Sequence, residues 1–150
     1  MEYLQVFLLS AMPVVEIRGG IPLGVISLGM SGWEALIVSA LGNVAIILPW
    51  LIILCHLENY FAQNRLTAPL YNRMVRKAEK KRAAFIKYGK YALFLFVAIP
   101  LPVTGAWTAC VASRVFRIPM KDTFWIVSLG VVMAGIIVLL NTMMVISVFS

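Results

Sequence analysis

The sequence has little of what catalytic and metal sites are built from. It contains a single histidine, His56, and two cysteines, Cys55 and Cys110, and their spacing fits no metal-binding pattern. It also lacks a serine–histidine–aspartate set, a glycine-rich phosphate loop and a dinucleotide-binding fingerprint. These absences exclude the enzyme classes that such motifs identify, and we expect no enzymatic activity, no metal and no cofactor.

Charged side chains are scarce as well, since they make up 13% of the 150 residues, whereas 62% are hydrophobic. Soluble domains use about 45–50% apolar residues, so this composition is typical of an integral membrane protein. The hydrophobic residues form four long runs, at residues 3–30, 33–57, 91–116 and 123–149. The sequence therefore predicts an all-α, multi-pass protein of the cell inner (plasma) membrane.

The net charge of +7 comes entirely from the segment 58–90, which contains nine lysines and arginines against two acids. The positive-inside rule places this segment in the cytoplasm. Apolar residues at helical spacing favour an amphipathic helix on anionic lipid headgroups, namely Leu70, Met74, Ala78 and Phe85 between Thr67 and Gly89. A solvated basic helix is the alternative. Nucleic acid is not an expected partner, because membrane segments flank both ends.

The first apolar run is interrupted by residues that are unfavourable in a continuous membrane helix. They are Pro13, Glu16, Arg18, Gly19, Gly20 and Pro22. Pro22 cannot donate a backbone hydrogen bond, and unpaired charges such as Glu16 and Arg18 are costly in hydrocarbon. Irregular backbone persists at membrane depth only where protein or water surrounds it. We interpret this stretch as the floor of a polar cavity; the alternative is a kinked helix with a structural Glu–Arg pair.

The third run repeats this design, and its break contains Pro100, Pro102, Thr104 and Gly105. The two halves align weakly, since Ala11-Met12-Pro13 corresponds to Ala98-Ile99-Pro100. On either side of the first break the apolar piece has about ten residues. Such a helix reaches about 15 Å, half of a hydrocarbon core of about 30 Å. Each broken run is therefore predicted to be a re-entrant helical hairpin. Pro13 and Pro22 lie at the corner of the first hairpin, whose turn is predicted at residues 16–20, and Pro100 and Pro102 lie at the corner of the second.

The remaining basic residues decide between two topologies. If the broken runs crossed the membrane, Arg114, Arg117 and Lys121 would lie outside, against the positive-inside rule. Re-entrant hairpins place them in the cytoplasm and orient the halves oppositely, as in the inverted repeats of transporters. The predicted units are a first repeat 1–57 (hairpin 3–30, helix 33–57), the cytoplasmic basic helix 58–90, and a second repeat 91–150 (hairpin 91–116, helix 121–149).

Two motifs resemble those of the small multidrug export protein family, over nearly the whole chain. They are Pro13-x-x-Glu16-x-Arg18-Gly-Gly-Ile-Pro22-x-Gly24 and Pro100-Leu-Pro102-x-Thr104-Gly105-Ala-Trp107, with Val103 where the family usually has glycine. That family in turn resembles the DedA (VTT, SNARE-associated) superfamily. The resemblance implies paired re-entrant hairpins, an acidic residue in the first, arginines in and after the second, and lipid-phosphate translocation. Arg114 and Arg117 match part of that arginine set, whereas residues 97–104 lack the further arginine of the DedA pattern.

Hairpin tips that meet near the membrane midplane would bring Glu16, Arg18 and Thr104 together. A guanidinium such as that of Arg18 binds phosphate through two hydrogen bonds. Backbone N–H groups at Gly19–Gly20 and Gly105–Ala106 are predicted to add anion-binding donors. A buried carboxylate such as that of Glu16 can carry a proton.

These features favour translocation of a lipid-linked phosphate of the undecaprenyl phosphate type, either proton-linked or passive. The alternatives are a proton-coupled exporter of small cationic molecules, with Glu16 as the exchange site, and a membrane scaffold without transport. Two membrane-crossing helices and two hairpins form only a thin layer of protein around a polar centre. We therefore expect a homodimer or a larger homo-oligomer. Gly42, Gly130 and Gly135 are the candidate contacts between copies.

Overall fold

The computed structural model describes residues 1–66, 68–69, 72–73, 76, 85–100 and 105–149. Within these ranges the chain is helical and contains no strand, which confirms the all-α prediction. Within the predicted basic helix 58–90, residues 67, 70–71, 74–75 and 77–84 lie outside the described residues, as do the corner residue Pro102 and the site residue Thr104. The amphipathic helix at 58–90 therefore stays a prediction.

Six α-helices have both ends within the described residues. They are α1 (Glu2–Ala11), α2 (Glu16–Pro22, continued by a π-helical turn, Leu23–Ser27), α3 (Gly32–Gln63), α4 (Lys90–Ala98, preceded by a π-helical turn, Phe85–Gly89), α5 (Ala106–Val115) and α6 (Met120–Phe149). Among the described residues, α3 and α6 are long and apolar enough to cross a membrane. α3 continues to Gln63, beyond the predicted end at residue 57.

The start of α3 is fixed by a capping box. Ser31 Oγ accepts a hydrogen bond from Glu34 N–H (3.3 Å), and the Glu34 carboxylate accepts one from Ser31 N–H (3.0 Å). The hydroxyl of Tyr3 donates to Glu34 Oε1 at 3.2 Å. The start of α1 therefore lies beside the start of α3, and the two helices run in parallel.

α1 and α2 form an antiparallel pair. Ser10 of α1 contacts Gly20 of α2, and Val6 contacts Gly24, so the two chains run in opposite directions. The corner is at residues 12–15, where Met12 is extended, and Glu16 already belongs to α2. We had expected the corner at residues 16–20. Pro22 is not a corner residue either, because it lies inside the helix and the chain continues in the wider π-helical turn.

The second half has the same order of two short helices and one long helix. Lys90 and Asp122 form an ion pair at 2.5 Å, and Gly130 of α6 packs against Val97 of α4. These contacts make α4 and α6 parallel. After α5 the chain turns within residues 116–119, where Ile118 N–H donates to the Ser113 carbonyl at 2.8 Å.

The two halves pack with their long helices antiparallel. Gly32 of α3 contacts Leu139 of α6, and Gly135 of α6 contacts Leu36 of α3. Gly135 also meets Ile17, which places α2 against the middle of α6.

The three glycines predicted at contacts between copies are used within one chain. Gly42 lies against the backbone of Phe7, while Gly130 and Gly135 pack on α4, α2 and α3. An oligomer would therefore have to use other residues.

Candidate functional site

The tips of the two short-helix pairs meet at Glu16. Its side chain is 6% exposed, and its carboxylate lies against the Cα of Gly105, at the start of α5. Glu16 Oε1 accepts a hydrogen bond from Trp107 N–H at 3.4 Å. Glu16 has a φ of +49°, in the left-handed region that costs a non-glycine residue about 1–2 kcal/mol. This strained backbone directs the carboxylate at the positive end of the α5 dipole.

Trp107 joins the first corner to the second. Its indole N–H donates to the Ala11 carbonyl (3.3 Å), while its own carbonyl accepts from the Trp50 indole N–H (3.2 Å). The Trp50 and Trp107 ring centroids are 4.6 Å apart. Trp107 thus contacts α1, α2 and α3 from α5. The sequence reasoning placed it in the second motif but assigned it no role, because those partners are far apart in the chain.

Two of the backbone donors predicted to bind an anion, those of Gly19 and Gly105, are already engaged. Gly19 N–H donates to the Val15 carbonyl at 3.1 Å, because α2 begins before the glycines and not after them. Gly105 N–H donates to Thr108 Oγ1 at 3.0 Å. The anion at the start of α5 is the carboxylate of Glu16 itself. Gly20 and Gly105 serve instead as positions where another helix approaches closely.

Arg18 faces a different space from Glu16. It lines an open cavity of about 350 Å³ between α2, Pro100 and α6. The other lining residues are the apolar Pro22, Ile26, Pro100, Val138 and Val145 and the polar Asn141 and Thr142. One guanidinium and two neutral polar groups among apolar walls are suited to a ligand with an anionic head and an apolar body. Asn141 and Thr142 gave no signal in the sequence, because they are isolated polar residues in the last apolar run.

The other predicted arginines lie away from this site. Arg114 is in the last turn of α5, about 10 Å of helix from Trp107, and its guanidinium pairs with Glu58 Oε2 at 2.5 and 3.2 Å. Arg117 follows in the turn before α6 with a φ of +54°. Thr104 lies outside the described residues, so its predicted place beside Glu16 and Arg18 stays a prediction. Within the described residues, no three His, Cys, Asp or Glu side chains come together to hold a metal.

A cluster of buried polar side chains that the sequence analysis missed lies between α1, α2 and α3. It consists of Ser10, Ser39 and Asn43, all at most 1% exposed. Both hydroxyls lie against Gly20. The sequence holds only a weak signal for this cluster. Ser39 and Asn43 are four residues apart in an apolar run, so they share one face of a helix.

Comparison with known proteins identifies one family. A family model described as "Putative small multi-drug export protein" matches residues 16–137, which include Glu16, Arg18, the Trp107 contact and most of both long helices. No curated protein and no solved structure matches the chain.

Proposed function

The chain belongs to the small multi-drug export protein family, and from this premise we propose that it is a membrane transporter that translocates a lipid-linked phosphate of the undecaprenyl phosphate type. The family description and the two long apolar helices support a membrane export protein. The cavity beside Arg18 is the observation that supports an amphipathic anion as the substrate. In this proposal the protein lies in the inner membrane, and residues 58–90 lie in the cytoplasm.

The chemistry of the cavity matches both parts of such a substrate. A guanidinium binds a phosphate with two parallel hydrogen bonds, and Asn141 and Thr142 add neutral polar groups. The walls formed by Pro22, Ile26 and the valines suit the first carbons of a lipid chain. A volume of about 350 Å³ is at the small end of ligand sites, so it would hold the head while the rest of the chain stays in the bilayer.

The arrangement of the helices supports a transport mechanism in which the two halves move around a central site. The two halves have the same helix order, and their long helices are antiparallel, as expected for an inverted repeat of re-entrant hairpins. Glu16 lies where the hairpin tips meet. Protonation would turn its charge-assisted bond from Trp107 N–H into a weaker neutral one. A proton on Glu16 would therefore loosen the tips, which is the proposed link between proton and substrate.

The family description names multi-drug export and so favours an exporter of small molecules as the second candidate. In this candidate the export is proton-coupled, the molecules are cationic and Glu16 is the exchange site. The carboxylate is 6% exposed and faces the positive end of α5. A cation would have to displace the Trp107 donor and overcome the helix dipole. The anionic substrate therefore ranks first.

Binding measurements on the full-length chain in lipid nanodiscs test the proposal. The probes are a polyprenyl phosphate, the matching polyprenol without phosphate, and a lipophilic cation. Arg18→Ala is expected to weaken polyprenyl phosphate binding by about 10- to 100-fold, the equivalent of about 1.5–3 kcal/mol for a charged hydrogen bond. Polyprenol should bind weakly to both proteins. Lys121→Ala, which removes an exposed cation at the start of α6, is the control.

Each of the other outcomes points to another function. Cation binding that survives Arg18→Ala but is lost in Glu16→Gln would identify the exporter. If neither substitution changes the binding of any probe, the membrane scaffold is favoured and the proposed transport is overturned.

A further inference from the structure

Three buried polar side chains lie in the interior of the first half. Ser10 comes from α1, Ser39 and Asn43 come from α3, and Gly20 of α2 lies between the two serines. A Cβ on Gly20 would collide with Ser10 Oγ and lie 2.7 Å from Ser39 Oγ. The glycine thus leaves the two hydroxyls facing the same small space, and Asn43 is one turn along from Ser39 on the same face of α3.

The polar atoms of this cluster have no hydrogen-bond partner in the part of the chain that the structure describes. They are Ser10 Oγ, Ser39 Oγ and both Asn43 amide atoms, Oδ1 and Nδ2. A buried polar group without a partner costs about 1–3 kcal/mol. Lipid around the helices shields such groups from bulk water, so the cost is reduced only where water or another ligand is bound inside. Four such atoms within about one helical turn of each other therefore point to a bound ligand.

The donors and acceptors of the cluster identify the class of ligand. A cation would satisfy the oxygens but would be repelled by the N–H groups of Asn43 Nδ2. An anion would satisfy those N–H groups but not Asn43 Oδ1. Water both donates and accepts, and a buried water typically makes about three hydrogen bonds to such groups. Ordered water is therefore the ligand that satisfies the whole cluster.

The cluster is linked to Glu16 through the neighbouring chain. Gly20 is four residues after Glu16 in α2, so the cluster and Glu16 are about one helical turn apart along that helix. Ser10 directly precedes Ala11, whose carbonyl accepts the Trp107 indole N–H, and the backbone N–H of Trp107 reaches Glu16. Water can bridge polar groups that are too far apart for a direct hydrogen bond.

We propose that Ser10, Ser39 and Asn43 hold ordered water between α1, α2 and α3, and that this water passes protons to and from Glu16. On uptake, a water of the cluster gives a proton to a Glu16 carboxylate oxygen and takes a replacement proton that neighbouring waters pass on from hydronium in the solvent; release returns the proton to the solvent by the reverse transfers. Two other titratable groups interact with Glu16, namely Arg18 on its own helix and the Cys110 thiol on α5. The relay deepens the proton-linked part of the proposed function and rests on it.

The rate of Glu16 protonation tests the relay directly. The full-length chain in nanodiscs is subjected to a pH jump, and the carboxyl band is followed by time-resolved infrared difference spectroscopy. Glu16→Gln identifies the band. We expect Ser39→Ala and Asn43→Leu to slow protonation at least tenfold, and D₂O to slow the unmodified chain. Ser113→Ala is the matched control, because its equally buried hydroxyl already donates to the Cys110 carbonyl at 2.7 Å.

Unchanged rates in the cluster variants would overturn the relay, and so would the absence of a titrating Glu16 band. If Asn43→Leu fails to fold, Ser10→Ala and Ser39→Ala decide the question, since serine to alanine removes one atom. No lipid phosphate is present in this experiment. Ser39→Ala should therefore keep normal polyprenyl phosphate binding, so that failure of the relay is distinguishable from failure of the proposed function.

Discussion

At the scale of single residues, Glu16 connects the two halves of the protein. Its left-handed backbone is unfavourable by itself, and it persists because the carboxylate is held at the start of α5 by Trp107 N–H. Gly105 is the complementary residue, since any side chain there would occupy the place of the carboxylate. Its own φ of −154° is extended and suits any residue, so glycine is needed for space alone.

Gly105→Ala is therefore expected to lower the free energy of unfolding by about 1–3 kcal/mol, as overpacking does. In a Glu16→Ala background the same substitution should cost much less, because the colliding carboxylate is gone. Chemical unfolding of the four proteins, followed by tryptophan fluorescence, measures both values. An equal cost in the two backgrounds would contradict the proposed contact.

At the scale of helices, close packing is set by glycines that face different kinds of neighbour. A Cβ on Gly42 would collide with the backbone carbonyl of Phe7, which α1 cannot move without leaving α3. A Cβ on Gly32 would meet the end of the Met143 side chain at 2.6 Å, and that side chain can turn away. The two glycines are in the same helix, so alanine substitutions at these positions can be compared directly.

Gly42→Ala should destabilise the protein by about 1–3 kcal/mol and separate α1 from α3. Gly32→Ala should change stability by less than about 1 kcal/mol, because only the ends of the Met143 and Leu139 side chains must move and no backbone is displaced. Thermal unfolding in nanodiscs gives both values, and crosslinking between Tyr3→Cys and Glu34→Cys reports whether α1 is still in place. Equal losses of stability would argue against this account of α1 packing.

Two ion pairs join helices at the end of the molecule that we assign to the cytoplasm. The Glu58 and Arg114 side chains are 22% and 20% exposed, whereas those of Asp122 and Lys90 are 39% and 37% exposed. Double-mutant cycles should give a coupling of about 1 kcal/mol for Glu58–Arg114 and less than about 0.5 kcal/mol for Lys90–Asp122. High salt should reduce the Lys90–Asp122 coupling energy more than that of Glu58–Arg114, because the first pair is more exposed. A larger coupling energy for Lys90–Asp122 than for Glu58–Arg114 would argue against a structural role for the Arg114 ion pair.

At the scale of the whole molecule, the long helices are apolar towards the outside. Large hydrophobic side chains such as Ile37, Leu41, Leu129 and Leu140 are 56–59% exposed. A surface of this kind is unusual in a soluble monomer and suits contact with lipid. Because α3 and α6 are antiparallel, their first residues lie at opposite ends of the molecule.

Single cysteines at these two ends give a direct test of topology. On a background without Cys55 and Cys110, an impermeant thiol reagent should label Trp33→Cys from outside and Lys121→Cys from the cytoplasm. Both positions are exposed in the structure. Labelling of Lys121→Cys from outside would mean four ordinary crossings, and the inverted-repeat part of the proposal would fail.

The sequence by itself determined the helical membrane class, the two interrupted runs and the importance of the segment containing Glu16 and Arg18. Local composition is sufficient for these, because charges, prolines and glycine pairs that occur close together are unfavourable in a continuous membrane helix. Only the tertiary structure decided that Glu16 faces the start of α5 while Arg18 faces a separate cavity. The same holds for the Ser10, Ser39 and Asn43 cluster. The reason is that these neighbours are brought together by packing between distant helices, which local periodicity does not encode.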